Sequence, residues 1–500
     1  MRSFTMMLAS GVGTFHGYDI YPIIIDYDKE NEDKRRIVEL LQCYSRIHQL
    51  AFGKVGHVQG VTSHKGSFFS PKMQCLQGLD NYVYPFQPTT PNIQYREYIG
   101  FDNFDENNEI THDFLESLYY TGADSKAELN LDMEQGFRGN PNVGSVVFNT
   151  ISRETQFTAF LNQFDPQNGD KVVIIGSIFG GTGASGIPEI VKAIKTAKPE
   201  AKPAVVMVLP YFAPEQQKGG AINAERFNSK TKAALNFYED SGIKKDIEAI
   251  YYVGDFYSTV IPYSEGGDTQ KNNANMVELL AAIMIEHFVA ERDTDHHEFK
   301  FSVNDVLDAK GGNQVADRLF IDNFYKDLVS QAIFYKLAEL AIGLKFFNDD
   351  IHSKRTKSQG FYTYLNIDVP EKEALELKNL RVQLGLFYNK FQEWLLELDF
   401  AGIPEKQAGN SHRLALCDMT RSYSDIIITP PSMKKPKGSL DQSNLIAGMN
   451  TCFSREHCIE NKLPTELKLG HNGEWAFVDM LWFAAQQGLE MLRPNHPRLK

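Results

Sequence analysis

The sequence has little cysteine, no long apolar run and a shortage of positive charge, and each of these excludes a class of protein. Five cysteines in 500 residues (Cys43, Cys75, Cys417, Cys452 and Cys458) are odd in number and form no CxxC pair. Neither a disulfide framework nor a zinc module is expected, and a reducing, cytoplasmic location fits best. No stretch approaches the ~20 apolar residues that span a bilayer, and the first residues lack the charged head and apolar stretch of a signal peptide. The 51 Lys and Arg against 64 Asp and Glu give a formal net charge of −13. That charge repels phosphate backbones except at a local basic patch, so a nucleic-acid partner is not expected. There is no internal repeat, and the Lys- and Pro-bearing stretch 430–440 reads as a solvated loop.

What is present is apolar surface: 42% apolar and 12% aromatic residues. Single cores stop growing at about 250–300 residues, so two packed units are expected. Residues 3–10 read as a helix stopped by Gly11 and Gly13, and Tyr21–Asp26 as a buried strand. Residues 57–125 show no sustained period and read as an insertion with little regular structure. From Lys171 the pattern sharpens into a strand (Val172–Ile175), a glycine turn, a helix opening near Pro188 and a strand (Ala204–Leu209). A helix at 223–238, a strand at Ala249–Val253 and a long helix at 275–289 continue it. Strand, turn, helix, strand is the unit of a doubly wound parallel sheet. Helical stretches at 315–347 and 371–398, strand-like runs at Tyr362–Val369 and Asp425–Thr429, and a helix around Trp475–Leu492 suggest a smaller α+β unit.

The turn reads Gly176-Ser-Ile-Phe-Gly180-Gly-Thr-Gly-Ala-Ser-Gly186-Ile-Pro188. Glycine lets backbone N–H groups approach phosphate oxygens, and the helix start adds favourable partial charge. No lysine follows, so the GxxxxGK[ST] pattern of P-loop proteins is absent. Gly181 to Gly186 also satisfies GxGxxG, but a nicotinamide cofactor needs an acid at the end of the next strand. That strand ends Val208-Leu209-Pro210-Tyr211, which argues against an NAD(P)-dependent oxidoreductase.

The run Phe179-Gly-Gly-Thr-Gly-Ala-Ser-Gly-Ile-Pro188 resembles the tubulin and FtsZ signature GGGTG[ST]G. Gly136-Phe-Arg-Gly139-Asn-Pro-Asn-Val-Gly144 is similar to the preceding phosphate loop of FtsZ, at a similar spacing. The resemblance covers roughly residues 5–300 and is closest to divergent bacterial tubulin-like proteins. It implies a Rossmann-like, doubly wound parallel sheet, the tubulin/FtsZ GTPase fold, over 1–292, joined by a long core helix to an α+β unit over 293–500.

By the same resemblance, Gly139, Asn140, Gly180, Gly181, Thr182, Gly183, Ala184 and Ser185 surround the phosphates of GTP or GDP, and Asp28 lies near the nucleotide and its Mg²⁺. Asp255 and Asn275 fall where the family holds the guanine base, although Asn also favours helix capping. The family's acidic loop supplies hydrolysis across a head-to-tail junction, and Asp295 and Glu298 match its spacing; a solvated helix end accounts for them equally well. Filaments of the chain itself, a cytoskeletal role and slow GTP hydrolysis are the expectation, with a non-hydrolysing nucleotide-sensing or structural scaffold as the alternative. The chain departs from the family at Phe179 and Ser185, where glycines are usual. The family's first central strand and first glycine loop are also missing, so the expectation is an upstream start or another segment filling the gap.

Overall fold

The computed structural model describes residues 1–28, 31–53, 66–85, 93–104, 109–119, 128–133, 136–137, 139–214, 224–254, 259–261, 271–291, 297–302, 318–319, 328–367, 369, 375–400, 417–427, 439–460 and 473–493. Its centre is a parallel sheet of five strands, in the order Val173–Ser177 (β3), Ala204–Val208 (β4), Ala249–Gly254 (β6), Glu298–Ser302 (β8) and Arg318–Leu319 (β9). Val173 aligns with Ala204 and Ala204 with Ala249, while Ile250 aligns with Glu298. Two small parallel pairs accompany it: Asp19–Ile20 (β1) with Lys72–Met73 (β2), and Phe212–Pro214 (β5) with Thr259–Ile261 (β7).

The inner strands are continuous apolar runs because both of their faces are covered. Val205, Met207, Ile250 and Tyr252 pack with Ile187, Val191 and Tyr238 from the helices Gly181–Ala197 (α4) and Ala224–Asp240 (α5). On the other face, Val206, Tyr251 and Val253 pack with Met7 and Leu8 of Arg2–Ala9 (α1) and with Leu280 and Ile283 of Met276–Val289 (α6). Each such side chain, fully buried, contributes about 1.5–3 kcal/mol. The chain is therefore mixed α/β, with helices on both sides of a parallel sheet.

Among the described residues β3 pairs with β4 alone, and Ile175 in its middle is 39% exposed. The strand expected at Tyr21–Asp26 does not form: β1 ends at Ile20, Tyr21 is exposed, and within 21–26 a single parallel bridge joins Ile24 to Val83. The region 57–125 is more regular than expected where it is described, with a helix at Glu109–Leu118. Glu32–Phe52 (α2) opens with Asn31, whose side chain accepts from the Lys34 amide, and Glu32 and Asp33 sit in its first turn. Both features favour a helix start at this point.

The sheet continues past residue 292, through β8 and β9. Beyond it the described residues are chiefly helical: Leu328–Asp349 (α7), Leu375–Phe400 (α8), Gln442–Glu460 (α9) and Gly473–Leu492 (α10). This half packs against α1 and α6 through one continuous core that includes Leu337, Ala341, Trp394, Met480 and Ala485. Three expectations are corrected. Arg318 and Leu319, expected in a helix from 315, form β9. Tyr362 lies in the short helix Gly360–Tyr364, where Phe361, Tyr362 and Leu365 are buried at helical spacing. Asp425 ends a 3-10 turn, and Ile427 makes one antiparallel bridge to Cys417. No helix among the described residues is long and apolar enough to cross a membrane.

Candidate functional site

The glycine turn stands where β3 ends, at the C-terminal edge of the parallel sheet. Helix α4 starts at Gly181, not near Pro188, and this corrects the reading of the sequence. Gly180 precedes it in an extended conformation, φ −93° and ψ 175°, and no side chain caps this end. The first-turn amides of any helix have no intrahelical acceptor, and with the positive end of the helix dipole they favour an anion.

Tertiary packing overrides the poor helix propensity of the glycines. A β-carbon on Gly183 would stand 2.3 Å from the Ser177 carbonyl oxygen, so only glycine lets α4 fold back so tightly on β3. Ala184 is buried, and the Ser185 hydroxyl donates to the Gly181 carbonyl at 2.7 Å. Pro188, inside α4, has no N–H for the Ala184 carbonyl one turn earlier. The Tyr238 hydroxyl of α5 donates to that carbonyl instead, at 2.7 Å in a buried position.

The second loop lies against the first. A β-carbon on Gly181 would come 2.8 Å from Cβ of Phe137, 3.2 Å from the amide nitrogen of Asn140 and 3.3 Å from that of Gly139. Gly136 and Gly139 both adopt positive φ, 72° and 73°, a left-handed conformation that favours glycine. Asn140 precedes the helix Pro141–Phe148 (α3). Its amide donates to the Phe137 carbonyl at 2.8 Å, closing the turn, so it is not directed at an outside anion as expected. The Gly139 amide also lies beside Gly181. Further along, Gly144 packs on Ser185 and Gly186 on the ring of Phe148, so part of the glycine content serves the α3–α4 contact.

Asp28 is buried beside this loop: its Cβ lies 3.5 Å from where a β-carbon on Gly136 would be. Its amide donates to Asp26 Oδ1 at 3.2 Å, and the Lys34 ammonium donates to its carbonyl. The Tyr27 and Phe137 rings meet at 5.3 Å and tie the two segments together. Burial pushes the Asp26 carboxyl up to about 6, against the opposing pull of Lys34 and the Asp28 amide.

The turn has an aromatic anchor that the sequence reading treated only as a departure from the family. The Phe179 ring is buried at 4.9 Å from Phe227, 5.6 Å from Phe212 and 6.5 Å from Tyr211. Lys230 was missed altogether. Its ammonium donates to the Gly139 carbonyl at 2.5 Å. The available signal was its place on the inward stripe of α5, where Phe227 and Tyr238 are buried while Lys232 faces outward.

The other expected residues stand apart from this cluster or outside the described residues. Asn275 is the N-cap of α6, and its side chain accepts from the Val277 amide at 2.9 Å, which is the capping role. Glu298 opens β8 at the N-terminal edge of the sheet, opposite the glycine turn, and pairs with the Lys244 ammonium at 3.1 Å. Asp255 and Asp295 lie outside the described residues.

Comparison with family models, curated proteins and solved structures yields no match for the chain.

Proposed function

We propose that the chain binds a nucleotide at the C-terminal edge of its sheet, with the phosphates between the first turn of α4 and the loop 136–140. The observation that carries this reading is the approach of Gly181 to the Gly139 amide, in the turn that the Asn140 amide closes on the Phe137 carbonyl. Two glycine-bearing loops, distant in sequence, meet at an uncapped helix start, the arrangement that suits a phosphate chain. The resemblance to tubulin and FtsZ assigns the nucleotide as GTP or GDP and the chain as a divergent bacterial tubulin-like protein. Asp28, beside the loop, and Asp26, two residues before it and bonded to its amide, offer the oxygen donors that Mg²⁺ prefers, and the ion would neutralise phosphate charge there.

The same reading makes the chain a head-to-tail self-associating protein with slow GTP hydrolysis at the junction. What supports it is that Glu298 and the glycine turn occupy opposite edges of one parallel sheet. Phosphoryl transfer requires chiefly positioning and charge stabilisation, so a carboxylate from a neighbouring copy would suffice. The ion pair of Glu298 with Lys244 favours the second reading, a nucleotide-sensing scaffold that does not hydrolyse.

Calorimetric titration of the full chain with GTP and Mg²⁺ tests the binding claim; absence of any heat of binding would sink it. Sedimentation with and without GTP tests assembly. Phosphate release from a variant carrying Asp295→Ala and Glu298→Ala separates the two readings, since a rate equal to wild type removes the catalytic assignment.

A further inference from the structure

A nucleotide triphosphate brings several negative charges into a chain whose own formal charge is −13 and whose glycine turn carries no lysine. On the nucleotide reading above, the phosphates call for a cationic side chain from outside that turn; Arg138 of the facing loop lies outside the described residues. We propose that Lys230 is that cation, donating to a phosphate oxygen of the bound nucleotide and taking the role that a P-loop lysine has in proteins with the GxxxxGK[ST] pattern.

Three observations converge on it. The Lys230 ammonium is 2.5 Å from the Gly139 carbonyl and 3.1 Å from where a β-carbon on Gly139 would be, so it stands at the rim of the loop that faces Gly181. An ammonium carries three donors in a tetrahedral array, and the bond to the Gly139 carbonyl fixes it at this loop. The helix that carries it is fixed on both sides of the lysine: Phe227 packs on Phe179 at 4.9 Å, and Tyr238 donates to Ala184 at 2.7 Å. The stem of Lys230 thus leaves a backbone that is registered to the glycine turn itself. A second ammonium among the described residues, that of Lys34, donates to the Asp28 carbonyl at the Gly136 end of the loop. Lys230 holds the Gly139 end, where the turn of α4 begins. A charge-assisted bond of this kind is stronger than a neutral one, and its loss is felt only by a ligand that carries the phosphates.

The test is calorimetric binding of GTP and of guanosine to the full chain, with Lys230→Met, Lys230→Arg and the outward-facing control Lys232→Met. Lys230→Met is expected to weaken GTP about 10- to 100-fold while guanosine binds as in wild type. Lys230→Arg should keep most of the GTP affinity, and Lys232→Met all of it. The slope of GTP affinity against salt should also become shallower in Lys230→Met. Wild-type GTP affinity in Lys230→Met, with wild type itself binding, overturns the role of Lys230 and leaves the nucleotide reading intact. An equal loss of GTP and guanosine marks Lys230 as structural and likewise overturns its role. Failure of the wild-type chain to bind GTP overturns the nucleotide reading and this inference with it.

Discussion

Gly181 sets how closely the two loops approach, because nothing larger than hydrogen fits between it and Phe137. Gly181→Ala is expected to lower GTP affinity at least about 10-fold while costing ~1–3 kcal/mol of stability, the usual range for overpacking; calorimetry and urea unfolding read the two effects separately. Asp26 gives a pH prediction. Its folded-state pKa of about 6 lies above the ordinary range of an aspartate, so the protonated carboxyl is the form that folding favours. The stability it contributes is complete below about pH 4 and is lost as pH rises through about 6. Asp26→Asn keeps the oxygen that accepts from the Asp28 amide and cannot ionise. The variant should therefore match wild type near pH 4 and melt at higher temperature at pH 8; equal melting temperatures at both pH values would refute the assignment. At this scale the sequence was legible where a residue's task is local. The turn that ends β3 could be read from its glycines, and the capping potential of Asn275 from its type. Lys230 and Tyr238 could not, because their partners, Gly139 and Ala184, are brought to them only by the packing of α5.

Among the elements, α4 carries an internal proline at a position where the lost amide would strand a buried carbonyl. Tyr238→Phe removes the replacement donor and is expected to cost about 1–3 kcal/mol. In a Pro188→Ala background the helix supplies its own N–H to Ala184, so the same tyrosine change should cost much less. A double-mutant cycle by chemical denaturation measures this, and equal costs in the two backgrounds would show that the two residues are independent. The strands β4 and β6 and the helices α5 and α6 were legible because long apolar runs and clean periodicity survive in any tertiary setting. The start of α4 was misread because Pro188 and the glycines are poor helix formers in isolation, and only contacts with β3, α3 and Tyr238 make that turn helical. Tyr362–Val369 was misread for the opposite reason. Aromatic and β-branched residues suggested a strand, while the core accepts Phe361, Tyr362 and Leu365 from one side of a short helix.

For the whole molecule, Glu397 is the point where four distant segments are joined. It accepts from Arg2 of α1 at 2.6 Å, from Arg36 of α2 and from the Ala274 amide at 2.7 Å, all from its place on α8. Asp33 receives the Asn272 amide at 3.1 Å, so the approach to α6 is held by acids on two helices. Glu397→Ala takes a counter-charge from the buried Arg2 and from the half-buried Arg36 and is expected to destabilise the chain by ~3–5 kcal/mol. Thermal unfolding followed by circular dichroism would show a single transition at lower temperature. A change below about 0.5 kcal/mol, the range of ordinary surface substitutions, would show that the network is dispensable. None of this network was legible from the sequence, since its members are separated by hundreds of positions and resemble ordinary surface charges.

Because every strand of the central sheet runs the same way, the molecule is an arrow, with turns and helix starts at its tip and the Glu298 edge at its tail. On the self-association proposed above, copies stacked tip to tail would all point alike, and the two extremities of such a stack would be chemically unequal. Addition and loss of copies would then have a built-in direction, inherited from nothing more than the orientation of five short strands.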